Sequence, residues 1–132
     1  MDYATKILAA IDLPPESVGA IPEWGIEAGQ LFQRGMTGGE RRKFELMFVP
    51  DPLGGRPEGD PRAAAVAFTL CNADGARVFT DAQIPLLAEK NSRVLDRLYE
   101  SAVRLSGIQK EDAVDEESKN FAETSGSDSS SA

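Results

Sequence analysis

The strongest structural signal in this 132-residue chain is a helical stripe near its C-terminal third. The stripe consists of Val94, Leu95, Leu98, Ala102 and Leu105, at the spacings of one face of an α-helix. Asn91 precedes the stripe as a candidate N-cap, and Gly107 follows it as a candidate terminal glycine. The pattern predicts an amphipathic helix, the best-defined element of the chain.

Three further segments have helical signals. Residues 2–12 carry apolar side chains at helical spacing, and Pro14-Pro15 ends the pattern. Thr37 to Glu40 and Thr80 to Gln83 have the spacing of capping boxes, in which the first and fourth residues satisfy each other's backbone N–H groups. We expect a helix after each box, the first of them ending before Pro50.

Two other regions predict extended structure. Apolar side chains alternate around Trp24 within residues 21–34, which indicates one or two strands, with Trp24 as a packing anchor. Residues 64–71 and 76–79 flank Asn72-Ala-Asp-Gly75, a turn sequence, and predict a hairpin, although the alanines leave a helix possible at its start. The predicted fold class is α+β: a small single domain of several helices with a short antiparallel sheet or hairpin.

The domain plan follows from composition. Residues 1–107 are expected to form the core domain, interrupted at residues 50–62 by a Pro/Gly-rich loop that we expect to be mobile. Residues 108–132 contribute −5 of the formal net charge of −8 and end in a Ser-rich run. Because such a segment buries too little apolar surface to offset its ordering entropy, we expect a flexible, disordered tail.

Several classes of chemistry are disfavoured. The chain contains no histidine and one cysteine, which removes histidine-based triads, the commonest general base and the usual zinc ligand sets. Cys71 is expected to be a buried structural thiol, because no histidine is present to activate it. Acidic residues are scattered at surface spacings. The sequence therefore predicts no catalytic, cofactor-binding or metal-binding residues, and we expect a protein that is not an enzyme.

The charge and the apolar pattern also bear on partners and location. A net negative chain is repelled by nucleic acid phosphates, so we expect no nucleic acid partner. No apolar run approaches the roughly 20 residues of a membrane helix. The first residues lack the basic region of a secretory signal. These features predict a cytosolic binding protein without a membrane partner.

The helix expected after Thr37 has more apolar positions than one buried face requires. Its main face contains Phe44, Met47 and Phe48. Leu46 and Val49 fall outside that face, so the helix is either sandwiched in the core or offers them to a partner. Arg41 and Arg42 open the helix where its dipole disfavours cations, so they are either a solvated face or functional. Leu46, Val49, Arg41 and Arg42 are the candidate partner-binding residues, with self-association as a further possibility.

Short phrases in a fixed order resemble the tail assembly chaperones of siphophages, the phages with long non-contractile tails. The phrases are Pro22-Glu-Trp-Gly25, Gly35-Met-Thr-Gly-Gly-Glu-Arg41, Phe44-Glu45, Asp74-Gly75, Val78-Phe-Thr-Asp81, Leu87-Ala-Glu-Lys90, Leu95-Asp-Arg-Leu98, Leu105-Ser-Gly107 and Ser118-Lys-Asn120. Each phrase is a cap, a turn or a helix face, and their order carries the resemblance, which runs from about Leu13 to the end.

The resemblance implies a chaperone that binds the tape measure protein and keeps it soluble while the tail tube polymerises around it. It also implies a second, longer form made by a −1 ribosomal frameshift, whose added domain recruits the tail tube protein. This chain would be the shorter form, located in the host cell cytoplasm and absent from the mature virion. The alternative is an acidic DNA-mimic or anti-repressor type inhibitor of a basic DNA-binding protein.

The expected frameshift position lies near the end of the chain. Ser118-Lys119-Asn120 is compatible with the codons TCA-AAA-AAC, which contain the slippery heptamer A-AAA-AAC. Glu89-Lys90-Asn91 permits the same heptamer, but slipping there would remove the helical stripe at residues 94–105. We therefore expect Lys119 and Asn120 to be encoded by the slippery site, because a slip there keeps the whole predicted domain.

Overall fold

The computed structural model describes residues 2–49 and 59–108. In chain order these residues form α1 (Tyr3–Ala9), β1 (Glu16–Ser17), a 3₁₀ helix (Pro22–Trp24), β2 (Phe32–Gln33), α2 (Gly38–Leu46), α3 (Pro61–Thr69), β3 (Leu70–Cys71), a second 3₁₀ helix (Asp81–Gln83), α4 (Ile84–Leu87) and α5 (Ser92–Leu105). The predicted α+β class is confirmed. No helix within the described ranges is both long and apolar enough to cross a membrane.

The sheet is small and antiparallel, in the order β1-β2-β3. In the central strand, Phe32 lies opposite Ser17 and Cys71. Residues 21–34 contain this one strand, since Pro22 starts a 3₁₀ helix and Gly25, at φ +69°, turns the chain back. The Gln33 side chain ties the sheet to the helices, because its Nε2 donates to Thr69 Oγ1 and to Leu98 O, both at 2.9 Å.

The hairpin strand predicted over residues 64–69 is wrong, whereas the helix that the alanines left possible at the start of this segment is present: these residues belong to α3. Asp60 caps this helix, with its carboxylate accepting from the N–H groups of Arg62 and Ala63 at 3.0 and 3.3 Å. Alanine has the highest helix propensity, and its small side chain lets a helix pass through the middle of a core. The hairpin is reduced to β3 and a single bridge from Cys71 to Arg77.

Two apolar clusters meet at α3. The first contains Ile21, Val66, Ala67, Leu70, Leu87, Val94, Leu95 and Leu98. The second contains Met36, Phe44, Ala64, Ala65, Phe68, Ala102, Val103 and Ile108. Every residue of α3 from Ala63 to Thr69 is buried, and α3 packs mainly against α5. A helix that is buried on all sides from Ala63 onward therefore organises the core, which explains why residues 63–68 are all apolar.

The long helix α5 confirms the prediction from the apolar stripe. Asn91 Oδ1 accepts from the N–H groups of Arg93 and Val94 at 2.9 and 3.2 Å. At the other end, the Gly107 N–H donates to Arg104 O at 3.2 Å and the Ile108 N–H donates to Val103 O at 3.0 Å. Gly107 has a φ of +72°, so the helix ends in a Schellman motif. Ile108, the first residue of the predicted tail, is buried in the second cluster.

Part of the domain plan lies outside the described residues. Of the predicted 50–62 loop, positions 50–58 are outside, whereas Pro61 already opens α3. Residues 109–132, with Lys119 and Asn120, are also outside.

Candidate functional site

The candidate surface is carried by α2, whose start is held by the predicted capping box. Thr37 Oγ1 accepts from the Glu40 N–H at 3.1 Å, and Glu40 Oε1 accepts from the Thr37 N–H at 2.9 Å. The Glu40 carboxylate also lies at the positive end of the helix dipole, which favours an anion there. The prediction of a capping box at this position is confirmed.

A buried ion pair fixes the same helix end to the sheet. Arg34 Nη1 donates to Glu40 Oε1 at 3.0 Å, and Arg34 Nη2 donates to Glu40 Oε2 at 3.3 Å. The two side chains are 9% and 10% exposed. Arg34 also donates to the carbonyl oxygens of Gly35 at 2.8 Å and Gly75 at 3.0 Å. One guanidinium therefore joins β2, α2 and the turn after β3.

A second, more exposed set of charges extends this connection. Lys43 Nζ lies 2.8 Å from Asp81 Oδ2, and Arg77 Nη2 lies 2.9 Å from Asp81 Oδ1. The hydrogen bond from Lys43, followed by that from Arg77, holds the pKa of Asp81 below its ordinary value. Arg77 also lies over the Phe68 ring, 5.3 Å from its centroid. Sequence reasoning did not find this network, because Lys43 is distant in sequence from Arg77 and Asp81, and the latter two are not part of a predicted helix in which a spacing of four residues would indicate an ion pair.

The apolar residues of α2 and the turn after it divide into two groups. Phe44 is buried, and its ring lies 5.1 Å from Phe48 in an edge-to-face arrangement and 6.4 Å from Tyr99. Leu46 and Val49 are each 53% exposed. The helix is therefore not sandwiched in the core. The structure places both residues on the surface, where their contact with a partner stays a prediction.

The two candidate arginines accompany this apolar pair. Arg41 Nε donates to Glu45 Oε2 at 3.0 Å across one helical turn, and both side chains are partly exposed. Arg42 is exposed. An exposed pair of this kind is worth little in stability. Arg41, Arg42 and Leu46 lie on α2 and Val49 lies in the turn that follows it, and we call the exposed side chains of these four residues the α2 surface.

Two other apolar features were not predicted as interaction sites. All of α1 is exposed, including Tyr3, Ile7 and Leu8. A separate open groove of about 540 Å³ is lined by Trp24, Phe79, Leu86, Leu87, Glu89 and Lys90. Trp24 is half-buried, so it packs against the core, as predicted, while also lining this groove. The sequence did indicate the apolar helical face of α1, but only the structure shows that this face is not buried in the core.

Part of the acidic charge in residues 2–49 and 59–108 is compensated by neighbouring basic side chains. Acidic side chains that make ion pairs with Arg or Lys are Glu16, Glu40, Glu45, Asp81 and Asp96. A DNA mimic needs uncompensated acids on a folded face, so this pairing does not favour that alternative.

Among residues 2–49 and 59–108, no three Cys, Asp or Glu side chains converge as a metal site. Burial raises the pKa of the Cys71 thiol, which fits the predicted structural role.

The comparison with solved structures identifies the fold. The chain is similar to the bacteriophage HK97 tail assembly chaperone over 80% of its own length and 95% of that protein, with a TM-score of 0.56 and 19% sequence identity. It has the fold of a phage tail assembly chaperone. No family model matches the sequence, and no curated protein matches it. The resemblance found in the short sequence phrases is therefore matched in three dimensions.

Proposed function

We propose that this protein is a phage tail assembly chaperone that binds the tape measure protein and keeps it soluble while the tail tube polymerises around it. The observation that carries the proposal is the fold shared with the HK97 chaperone over most of both chains. The α2 surface supports it, because a binding protein for long apolar helices needs exposed apolar side chains on a rigid support.

The α2 surface has the properties that such binding requires. The capping box and the buried Arg34–Glu40 pair fix the start of the helix, so binding does not require the helix backbone to be ordered first. Leu46 and Val49 are about half exposed, and covering the remaining area is worth about 1 kcal/mol each. Contacts of this strength are weak singly, which suits a chaperone that covers a long partner repeatedly and is later released.

The test is a matched pair of substitutions. Val49 is 53% exposed and belongs to the α2 surface, whereas Val78 is 47% exposed and lies outside it. Val49→Asp and Val78→Asp therefore make the same change at similar exposure. Each variant is co-expressed with the tape measure protein of the same phage, and the soluble and co-purified amounts of that protein are measured.

We expect Val49→Asp to reduce co-purification at least tenfold, since it removes apolar contact and places a charge in the interface. Val78→Asp should behave as the wild type. Both should keep the thermal midpoint nearly unchanged, because exposed substitutions rarely exceed 0.5 kcal/mol. Two results would contradict the proposal. In the first, Val49→Asp and Val78→Asp reduce co-purification of the tape measure protein equally. In the second, the wild-type chain keeps no more tape measure protein soluble than an unrelated protein does.

The longer form is part of the same proposal. A −1 slip at Lys119 and Asn120 would keep the complete domain and append a segment that recruits the tail tube protein. Both forms would act in the host cell cytoplasm and be absent from the finished virion. The measurement is mass spectrometry of infected cells and of purified virions, together with the nucleotide sequence. We expect a longer product that shares residues 1 to about 120 in the infected cells and not in the purified virions. Codons for Lys119 and Asn120 that do not contain the slippery heptamer would contradict the frameshift mechanism.

A further inference from the structure

Three residues of the α2 surface, Arg42, Leu46 and Val49, lie in one row. Arg42 and Leu46 are four residues apart in α2, and side chains at this spacing are neighbours on a helix. After α2 the chain continues in tight turns, in which the Val49 N–H donates to Leu46 O at 3.2 Å. Side chains three residues apart eclipse each other in such a turn, so Val49 extends the row. The row therefore has a cation at one end and two exposed apolar side chains at the other.

Arg42 is the one cation of α2 whose charge the fold leaves unpaired. Arg41 Nε lies 3.0 Å from Glu45 Oε2, and Lys43 Nζ lies 2.8 Å from Asp81 Oδ2. Arg42 is exposed and takes part in none of the ion pairs formed within residues 2–49 and 59–108. The acid nearest to it along the helix, Glu45, is engaged by Arg41. The charge of Arg42 is therefore available to an anion from outside the chain.

The charge of the whole chain makes this cation selective. The formal net charge is −8, so a carboxylate on a partner is repelled by the chain as a whole. At Arg42 the same carboxylate is attracted, and the apolar side chains of Leu46 and Val49 lie beside it. A complementary charge next to an apolar contact fixes the orientation and register of a partner more than its affinity. The row thus fits a partner that is apolar and carries an acid at one defined position.

We propose that the α2 surface recognises helical segments of the tape measure protein in which an Asp or Glu lies one turn from two apolar side chains. The inference rests on the proposed function, since it specifies the chemistry of the partner at the same surface. From Arg42 to Val49 the row extends about 12 Å, at about 1.5 Å per residue in the helix and about 2 Å in the turn. A partner helix covers this length with about two turns, so its matching residues lie three or four positions apart. The carboxylate pairs with Arg42, and the apolar residues cover Leu46 and Val49.

The first experiment is a matched pair of charge reversals, Arg42→Glu and Arg93→Glu. Both arginines are exposed, lie near the start of a helix and form no ion pair among the described residues. Arg93 lacks apolar neighbours on the surface, because the residues one turn along from it are Asp96 and Arg97. Each tagged full-length chain is co-expressed with the tape measure protein of the same phage. The tape measure protein retained on the tagged chain is measured after washing at about 50 mM and at about 500 mM NaCl.

We expect Arg42→Glu to lower the amount retained at the lower salt concentration about fivefold to tenfold, because an attraction becomes a repulsion between like charges. Arg93→Glu changes the net charge equally and should retain the wild-type amount. The higher salt concentration should bring the wild type to the level of Arg42→Gln, since screening removes the ion pair and leaves the apolar contact. The thermal midpoint of Arg42→Glu should not fall, because an acid near the start of a helix suits its dipole.

The second experiment identifies the carboxylate on the partner. Arg42→Lys keeps the positive charge and supplies a primary amine, which a carbodiimide joins to a carboxylate in direct contact with it. The amide bond forms with loss of water, which the carbodiimide takes up to become a urea. Mass spectrometry should place this amide between position 42 and an Asp or Glu of the tape measure protein that lies three or four residues from an apolar residue. Arg93→Lys is the control and should give no crosslink to that protein.

The possible failures separate this inference from the proposed function. Wild-type retention by Arg42→Glu, together with a loss for Val49→Asp, would overturn the inference and leave the chaperone function standing. Equal losses for Arg42→Glu and Arg93→Glu would also overturn it, because net charge alone would then explain the effect. Crosslinks from position 42 to carboxylates without apolar neighbours would contradict the proposed pattern. A wild-type chain that keeps no tape measure protein soluble would overturn the proposed function itself, and this inference with it.

Discussion

Replacing Glu40 by alanine removes one partner from the buried ion pair that anchors α2. Arg34 would keep its hydrogen bonds to Gly35 and Gly75, but its charge would remain buried without the carboxylate. The Thr37 N–H would also lose its acceptor. Glu45→Ala on the same helix is the matched control, because its partner Arg41 is exposed to solvent.

The expected magnitudes differ widely. Breaking a buried pair by removing one partner costs about 3–5 kcal/mol, because the remaining charge is uncompensated. An exposed pair one helical turn apart contributes about 0.3–0.5 kcal/mol. Since a small domain has about 5–15 kcal/mol of stability in total, Glu40→Ala should leave it marginally folded, and Glu45→Ala should scarcely change it.

Urea denaturation followed by circular dichroism and by the fluorescence of Trp24 measures both losses. With a slope of about 1.5 kcal/mol per molar, the Glu40→Ala midpoint should fall by about 2–3 M and the Glu45→Ala midpoint by less than 0.5 M. The double variant Arg34→Met/Glu40→Leu should recover part of the loss, because it leaves no buried charge. Equal shifts for Glu40→Ala and Glu45→Ala, or a double variant as unstable as Glu40→Ala, would refute the burial argument.

Three further predictions follow from the packing and the charges. Gly35→Ala should cost about 1–3 kcal/mol in the same denaturation assay, because the new Cβ would lie 2.6 Å from the Leu105 carbonyl oxygen; wild-type stability would contradict the contact. Cys71 should react with a thiol reagent only in denaturant, since burial raises its pKa and shields it; fast labelling of the native chain would show it exposed. The lowered pKa of Asp81 stabilises the fold at neutral pH, and this contribution is lost as pH falls below about 4. Lys43→Met should therefore cost less than about 1 kcal/mol at pH 7, and this cost should shrink as the pH falls through the lowered pKa of Asp81, whereas a cost independent of pH would point to packing.

The elements found from the sequence are those with a local physical cause. The α5 stripe, its Asn91 cap and its terminal Gly107 depend on neighbours within a few residues, as does the capping box at Thr37. The spacing of apolar residues in α2 also placed Phe44, which is buried, on the main apolar face and Leu46, which is exposed, outside it. The acidic composition of the chain and its lack of histidine are properties of the sequence itself and need no structure to establish them.

The tertiary structure decided what depends on distant partners. The alanine-rich segment of α3 is a helix because two apolar clusters enclose it from both sides, which no local pattern records. The pairing of Arg34 with Glu40 required β2 to meet the start of α2. The apolar residues of α1 have the same helical spacing as those of a core helix. Only the packing of the whole chain decides that α1 is exposed. Local sequence determines which conformation a segment prefers, whereas burial and charge compensation arise only when the whole chain has folded.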